Sequence, residues 1–261
     1  MIKNIQQNII VAIFFLVMVG VNVLANLLPI NGVNTGQVSA ELPNLFVPDP
    51  VTFSIWGLIY LLLFGYVVYN FVIHEDDRRS KLKELNQLAR YFCISSFLNA
   101  CWILSWHYGL FILSTIVMLF LLLSLILARL SIEKMTLRGR EKLFIRLPFS
   151  IYLAWISIAT IASITTALVY LAWDGFGISP IVWTIAVLLV GLLISGATML
   201  RFQDGVYGLV IMWAYAGIVR KHLSVDGYAG MYPSIVVATV ACIVGLILLE
   251  IYLIKKGKFS A

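Results

Sequence analysis

Charge is scarce in this chain. Only 11% of its 261 residues are Asp, Glu, Lys or Arg, against about 25% in a typical soluble domain. So few polar groups cannot cover a water-facing surface, which excludes a soluble globular fold and makes lipid the solvent for much of the molecule. Cysteine is rarer still. Cys93, Cys101 and Cys242 each lie inside an apolar run and no CxxC pair exists, so inert thiols are expected rather than a disulfide framework or a metal site. No GxSxG, HExxH, Walker A or GxGxxG signature is present, and an enzyme is not expected. The histidines His74, His107 and His222 fall at helix ends or in loops. His74 and His107 would face opposite sides of a membrane and cannot share a metal, so interface anchoring is their expected role. Buried ionisable residues, the usual mark of an ion path, are almost lacking. Glu250 is the one acid well inside an apolar run, and it lies about one turn from Lys255, near enough to pair or snorkel. This argues against an ion-coupled transporter and for an apolar ligand. The net charge of +6 is no nucleic-acid footprint, because the basic residues sit in short runs and build no aromatic-interleaved face.

What the chain has in abundance is apolar length. Its hydrophobic fraction is 62%, with 7 Trp, 12 Tyr and 15 Phe. Crossing roughly 30 Å of hydrocarbon at about 1.5 Å per residue takes about 20 residues. Apolar runs of this kind occupy 8–28, 51–73, 91–106, 110–128, 147–172, 180–200, 205–219 and 233–254. In lipid only helices or closed barrels satisfy their backbone, and continuous runs exclude the alternating barrel pattern. The expected fold is therefore an all-α membrane protein of about eight transmembrane helices. The first run, preceded only by Lys3, is long for a signal peptide and is read as a retained helix. With the N-terminus in the cytoplasm, all of the 18 basic residues except Arg220 and Lys221 fall on the cytoplasmic side. The positive-inside rule then places both termini in the cytoplasm, in the cell membrane. The weakest segment is the seventh, Gly205–Val219, which is short enough to be re-entrant; making it so moves Arg220 and Lys221 inside but pushes Lys255, Lys256 and Lys258 outside.

Residues 29–50 form a long external segment with Pro29, Pro43, Pro48 and Pro50. Proline there forbids a continuous helix, and such a loop on a packed scaffold serves either as a lid or as a spacer. The loop from His74 to Leu88 reads as a solvated cytoplasmic turn. Two aromatic stripes follow. Asn99, Trp102 and Trp106 are spaced i, i+3, i+7, and Tyr152, Trp155, Ala159 and Ser163 share one face of a later helix. Trp56 and Tyr60 lie one turn apart on the second helix. An asparagine in lipid needs a partner or a cavity. The stripes fit a pocket between helices, and they equally fit ordinary packing with Trp at the interface.

These motifs resemble the TspO/MBR family, the tryptophan-rich sensory or translocator proteins. The likeness rests on Pro48, Trp56 and Tyr60 entering the second helix, Leu98, Asn99 and Trp102 on the third, with Trp106 near the family's paired aromatics, and Tyr152, Trp155 and Ala159 on the fifth. Phe53 sits one place off the family's aromatic, Gly57 and Ile59 vary, Ile151 stands where the family has proline, and Ser163 replaces its asparagine. The motif likeness covers roughly residues 8–168. It implies a TspO-like five-helix core over 1–172 and a three-helix C-terminal extension over 173–261, packed in one membrane domain. It also implies a pocket beneath the external loop for porphyrins, sterol-like molecules or aromatic drugs. Asn99, Trp102 and Trp155 would line it, Trp56 and Tyr60 support it, and Pro48 shape the lid. Trp106, Tyr152 and Ser163 complete the expected site. No cofactor is implied beyond a bound porphyrin or other hydrophobic ligand. The partners expected are the bilayer and that ligand, not nucleic acid. The family's tendency to dimerise leaves an oligomer open, although the extra helices are suited to cover its dimer face. The expected function is a sensory or translocator protein binding a flat hydrophobic molecule. The alternatives are a transporter of a neutral or amphipathic solute, or a membrane-embedded enzyme acting on an isoprenoid or porphyrin, for which the sequence supplies no converging acids or metal ligands.

Overall fold

A computed structural model of the protein describes residues 2–27, 32, 35, 38, 42 and 44–257. Pro29, Pro43 and Lys258 lie outside the described residues. The described residues hold eight long helices: α1 (Ile2–Leu27), α2 (Ile55–Val72), α3 (Leu82–His107), α4 (Phe111–Glu133), α5 (Leu147–Tyr170), α6 (Pro180–Phe202), α7 (Gly205–Leu223) and α8 (Pro233–Lys255). A short helix, Glu75–Ser80, precedes α3, a π turn, Lys142–Arg146, leads into α5, and no strand occurs among the described residues.

The helix ends follow local chemistry. Pro148, Pro180 and Pro233 occupy first-turn positions, where the missing N–H costs nothing. Ser179 Oγ accepts from Val182 N at 3.4 Å, and Asp204 Oδ1 from Tyr207 N at 3.2 Å, each satisfying an orphan donor at a helix start. Gly109, at φ +68, allows the tight turn from α3 into α4. Helix α3 begins at Leu82, well before the apolar run at residue 91, because its polar first turns continue the helix out of the hydrocarbon depth.

Seven of the eight helices are long and apolar enough to cross a membrane; α7 is the exception. Its place in the bundle shows why its composition differs. At its start, Asp204 pairs with Arg129 at the end of α4 and accepts from Ser150 at the start of α5. At its other end, the Gly217 carbonyl accepts from Asp49 N and His222 Nε2 donates to the Leu45 carbonyl, both in the loop before α2. Helix α7 thus reaches from one end of the bundle to the other, wrapped by α5, α6 and α8. More than half of its residues are buried, with Leu209 and Trp213 left exposed, so much of its surface needs no lipid-facing leucine.

Helix α5 is the most enclosed of the candidate spans and α6 the least. The lipid-facing sides carry Leu16, Leu61, Leu193 and Leu248, all exposed. Helix α1 packs on α2 and α3, and Asn8 Nδ2 donates to the Asn70 carbonyl at 2.6 Å. Lys81 Nζ meets Glu141 Oε1 at 2.5 Å, joining the α2–α3 and α4–α5 connections. A Cβ on Gly208 of α7 would collide with Glu250 Oε1 of α8. The beginning of α1, the basic loops and the end of α8 therefore gather at one end of the bundle, called the inner end below.

Candidate ligand-binding site

At the outer end, residues 44–54 form a cover over α2, α3 and α5. Pro48 and Pro50 prevent a continuous α-helix here, leaving a 3-10 turn at Pro50–Ser54, so the other backbone groups must find partners elsewhere. Most of them come from the C-terminal half. Tyr228 Oη donates to the Asn44 carbonyl at 3.1 Å, His222 Nε2 to the Leu45 carbonyl at 2.9 Å, and Trp213 Nε1 to the Thr52 carbonyl at 3.0 Å. Asp49 N donates to the Gly217 carbonyl at 3.1 Å. That close approach needs glycine, because a Cβ on Gly217 would collide with Thr52. Burial and the neighbouring Tyr232 push the Tyr228 phenol above its ordinary pKa, which keeps it a donor. On the core side, Asn44 Nδ2 donates to Thr165 Oγ1 at 2.9 Å and Thr166 Oγ1 at 3.1 Å.

Beneath the cover stands an aromatic cluster centred on Trp56. Its ring stacks on Tyr60 at 5.5 Å and Trp102 at 6.1 Å, and meets Tyr152 at 6.0 Å and Trp155 at 6.3 Å edge-on. Phe53 meets Trp155 edge-on at 5.7 Å, and Trp102 stacks on Trp106 at 6.2 Å. A cavity of about 40 Å³ lies among them. Pro48, Trp56, Trp102, Trp106, Trp155 and Ser163 line it, joined by Thr35, Val47, Phe53, Ile158, Ala159, Ala162 and Thr166.

Tyr60, Asn99 and Tyr152 are placed otherwise: each lies one turn deeper along its helix than a lining tryptophan. Asn99 is fully buried; its Oδ1 accepts from Asn22 Nδ2 at 2.7 Å and its Nδ2 donates to Tyr152 Oη at 3.1 Å. Both halves of the amide are thus engaged within the protein, and Asn99 ties α1, α3 and α5 under the cavity floor. Two lining residues are left wanting. Trp102 Nε1 and Trp155 Nε1 are buried without a hydrogen-bond partner among the described residues, as is Tyr60 Oη. Such an orphan donor costs about 1–3 kcal/mol. Trp106 differs, since its Nε1 donates to the Thr35 carbonyl at 3.3 Å. The arrangement offers aromatic faces for stacking and two N–H groups for an acceptor. Its volume holds only a few waters at roughly 10–15 Å³ each, so a larger guest must displace the cover.

The inner end carries a polar site that sequence reading missed. Arg129 is 1% exposed, with Nη2 3.1 Å from Asp204 Oδ2 and 3.0 Å from Glu133 Oε1. Ser150 Oγ also donates to Asp204. Arg146 Nη2 donates to the Phe202 carbonyl at 2.6 Å. Glu250 is buried and neither carboxylate oxygen has a partner among the described residues, which differs from the expected pairing with a lysine. His107 and His222 are buried too, bonded to Thr35 and the Leu45 carbonyl, rather than set as interface anchors. The three cysteines are free thiols.

A helical bundle with an aromatic chamber under a tied-down loop defines a multi-pass membrane protein. The chain belongs to the family of TSPO-like proteins, whose family model matches residues 8–252. The match runs beyond the motif likeness, through α6 and α7 into the last turn of α8, so the C-terminal helices fall within the matched span. No curated protein and no solved structure matches the chain.

Proposed function

We propose that the protein binds a flat hydrophobic small molecule, tetrapyrrole- or sterol-like in shape, in the aromatic cavity, and does so in a sensory or translocator role. The observation that carries this reading is the pair of unpartnered indole N–H groups, Trp102 on α3 and Trp155 on α5, on either side of Trp56. A folded protein gains by supplying each with an acceptor, and a polar edge of a guest in the cavity would be one. Burial of the guest adds about 25 cal/mol per Å² of apolar area. Residues 1–172 hold the site in this reading, and residues 173–261 brace its cover through α7. Titration of the detergent-solubilised chain with protoporphyrin IX dimethyl ester, followed at the porphyrin absorption band, tests it. A saturable shift competed by an uncharged sterol is expected; a shift that is linear in porphyrin and insensitive to the sterol would overturn it.

We further propose that the protein sits in the cell membrane with the inner end and both termini in the cytoplasm, an orientation the basic loops favour. In a cysteine-free background, Asp226→Cys should react with an impermeant maleimide on intact cells and Gly139→Cys only after permeabilisation. The reverse pattern inverts the orientation.

A further inference from the structure

A second cavity lies beside the first. It opens between the outer ends of α5 and α6, with a volume of about 190 Å³ against about 40 Å³ for the aromatic cavity. Trp173 and Trp183, with ring centres 5.1 Å apart, wall one side, and Leu168 and Val187 line it from the two helices. The partition between the cavities is thin. Thr165 lines the larger and Thr166, the next residue on α5, the smaller; Asn44 faces the larger, and Val47 and Pro48 face the smaller. One amide holds this partition shut, since Asn44 Nδ2 donates to both threonine hydroxyls while its Oδ1 accepts from Phe46 N at 3.0 Å. Each of these bonds is worth little net, so swinging the side chain aside leaves an open state populated on the order of one per cent. That is frequent enough for passage.

We infer that the larger cavity is the outer stop of a two-chamber path into the aromatic cavity, that Asn44 is its gate, and that the path admits apolar molecules carrying no negative charge. The inference rests on the proposed ligand site. The charge preference comes from the lining: among the described residues Asp174, an exposed acid, is its one ionisable residue, and no Lys or Arg lines it. An anion about 6 Å from that carboxylate in a water-like medium is disfavoured by about threefold.

Stopped-flow tryptophan quenching of the purified full chain by protoporphyrin IX dimethyl ester tests the path. Two phases are expected, the fast one from the outer stop and the slow one from the aromatic cavity. Val187→Phe fills the outer cavity without touching a hydrogen bond; it should abolish the fast phase and slow the other at least tenfold. Leu168→Phe, which fills the same space from α5, should do likewise and guards against a folding defect in either variant. Asn44→Ala should merge the two phases into one. If both filled variants keep both phases at wild-type rates, the path is overturned and the aromatic site stands. If Trp102→Phe and Trp155→Phe leave porphyrin affinity unaltered, the aromatic site itself falls. For the charge preference, the free diacid should bind the outer stop about threefold more weakly than the ester, with Asp174→Asn closing the gap. Equal binding of diacid and ester by the unaltered protein overturns that part.

Discussion

The two ends of the bundle solve burial in opposite ways. At the inner end, Arg129, Asp204, Glu133 and Ser150 are drawn together by charge, while buried Glu250 keeps no partner among the described residues. At the outer end, aromatic rings enclose a small void and two indole donors are left unmet. The first arrangement is built on ion pairs and the second on ring contacts, and each leaves buried polar atoms without a partner among the described residues. Helix α7 connects them, capped by Asp204 at one end and holding the loop cover through Gly217 and His222 at the other. The comparison teaches that charge at the inner end ties helices together, while the outer end relies on aromatic contact around a cavity.

The sharpest way to break the comparison is at the inner end. Asp204→Ala leaves the buried guanidinium with Glu133 alone, removes the α7 cap and deprives Ser150 of its acceptor. A loss of about 3–5 kcal/mol in unfolding free energy is expected in detergent–denaturant titration. A loss below about 1 kcal/mol would show that water already solvates Arg129. Next comes the cover. Gly217→Ala forces a methyl into Thr52 and should cost about 1–3 kcal/mol, while Gly196→Ala, which meets only Leu249 at 3.6 Å, should change the midpoint little. The same Gly217 change should speed porphyrin entry by loosening the cover, as read by stopped flow. Under the cavity floor, Asn99→Ala removes the donor to Tyr152 Oη and one of two acceptors of Asn22 Nδ2, and should cost about 1–2 kcal/mol by thermal unfolding. Its effect on binding should follow from a shifted Trp102 rather than a lost ligand contact, so Asn99→Gln should recover part of it. The smallest effect is expected at the Arg220–Asp49 pair, 3.4 Å apart with Arg220 63% exposed, where Arg220→Ala should cost less than about 1 kcal/mol and leave binding unchanged.

Much of this was legible in the sequence. Apolar runs marked the long helices, the seventh least clearly, because lipid leaves a continuous signature in a way that water does not. Helical spacing puts Trp102 and Trp106 on one face of α3, but only the packing of α2, α3 and α5 brings Trp56 and Trp155 to them. Asn99 was legible as a polar residue in need of a partner, but not its partner: Asn22 stands on another helix, and spacing says nothing across helices. Arg129 and Asp204 read as the ends of apolar runs, where charge normally meets water or lipid headgroups. Only the packing of α7 against α4 and α5 turns those ends into a buried pair. The role of α7 was hidden for the same reason, since a helix wrapped by protein lacks the uniform greasiness of one facing lipid.

The central claim is that Trp102 and Trp155 are held in wait for an acceptor. Replacing both with Phe keeps the stacking and removes the two orphan N–H groups. One experiment on the double variant, thermal unfolding with and without protoporphyrin IX dimethyl ester, reads both consequences. Without porphyrin the melting temperature should hold or rise, because about 1–3 kcal/mol per unmet donor is relieved against a small loss of packing. With porphyrin, the stabilisation seen in the unaltered protein should shrink in step with affinity weakened about tenfold or more. A variant that melts much earlier alone, yet gains as much from porphyrin as the parent, would contradict the account.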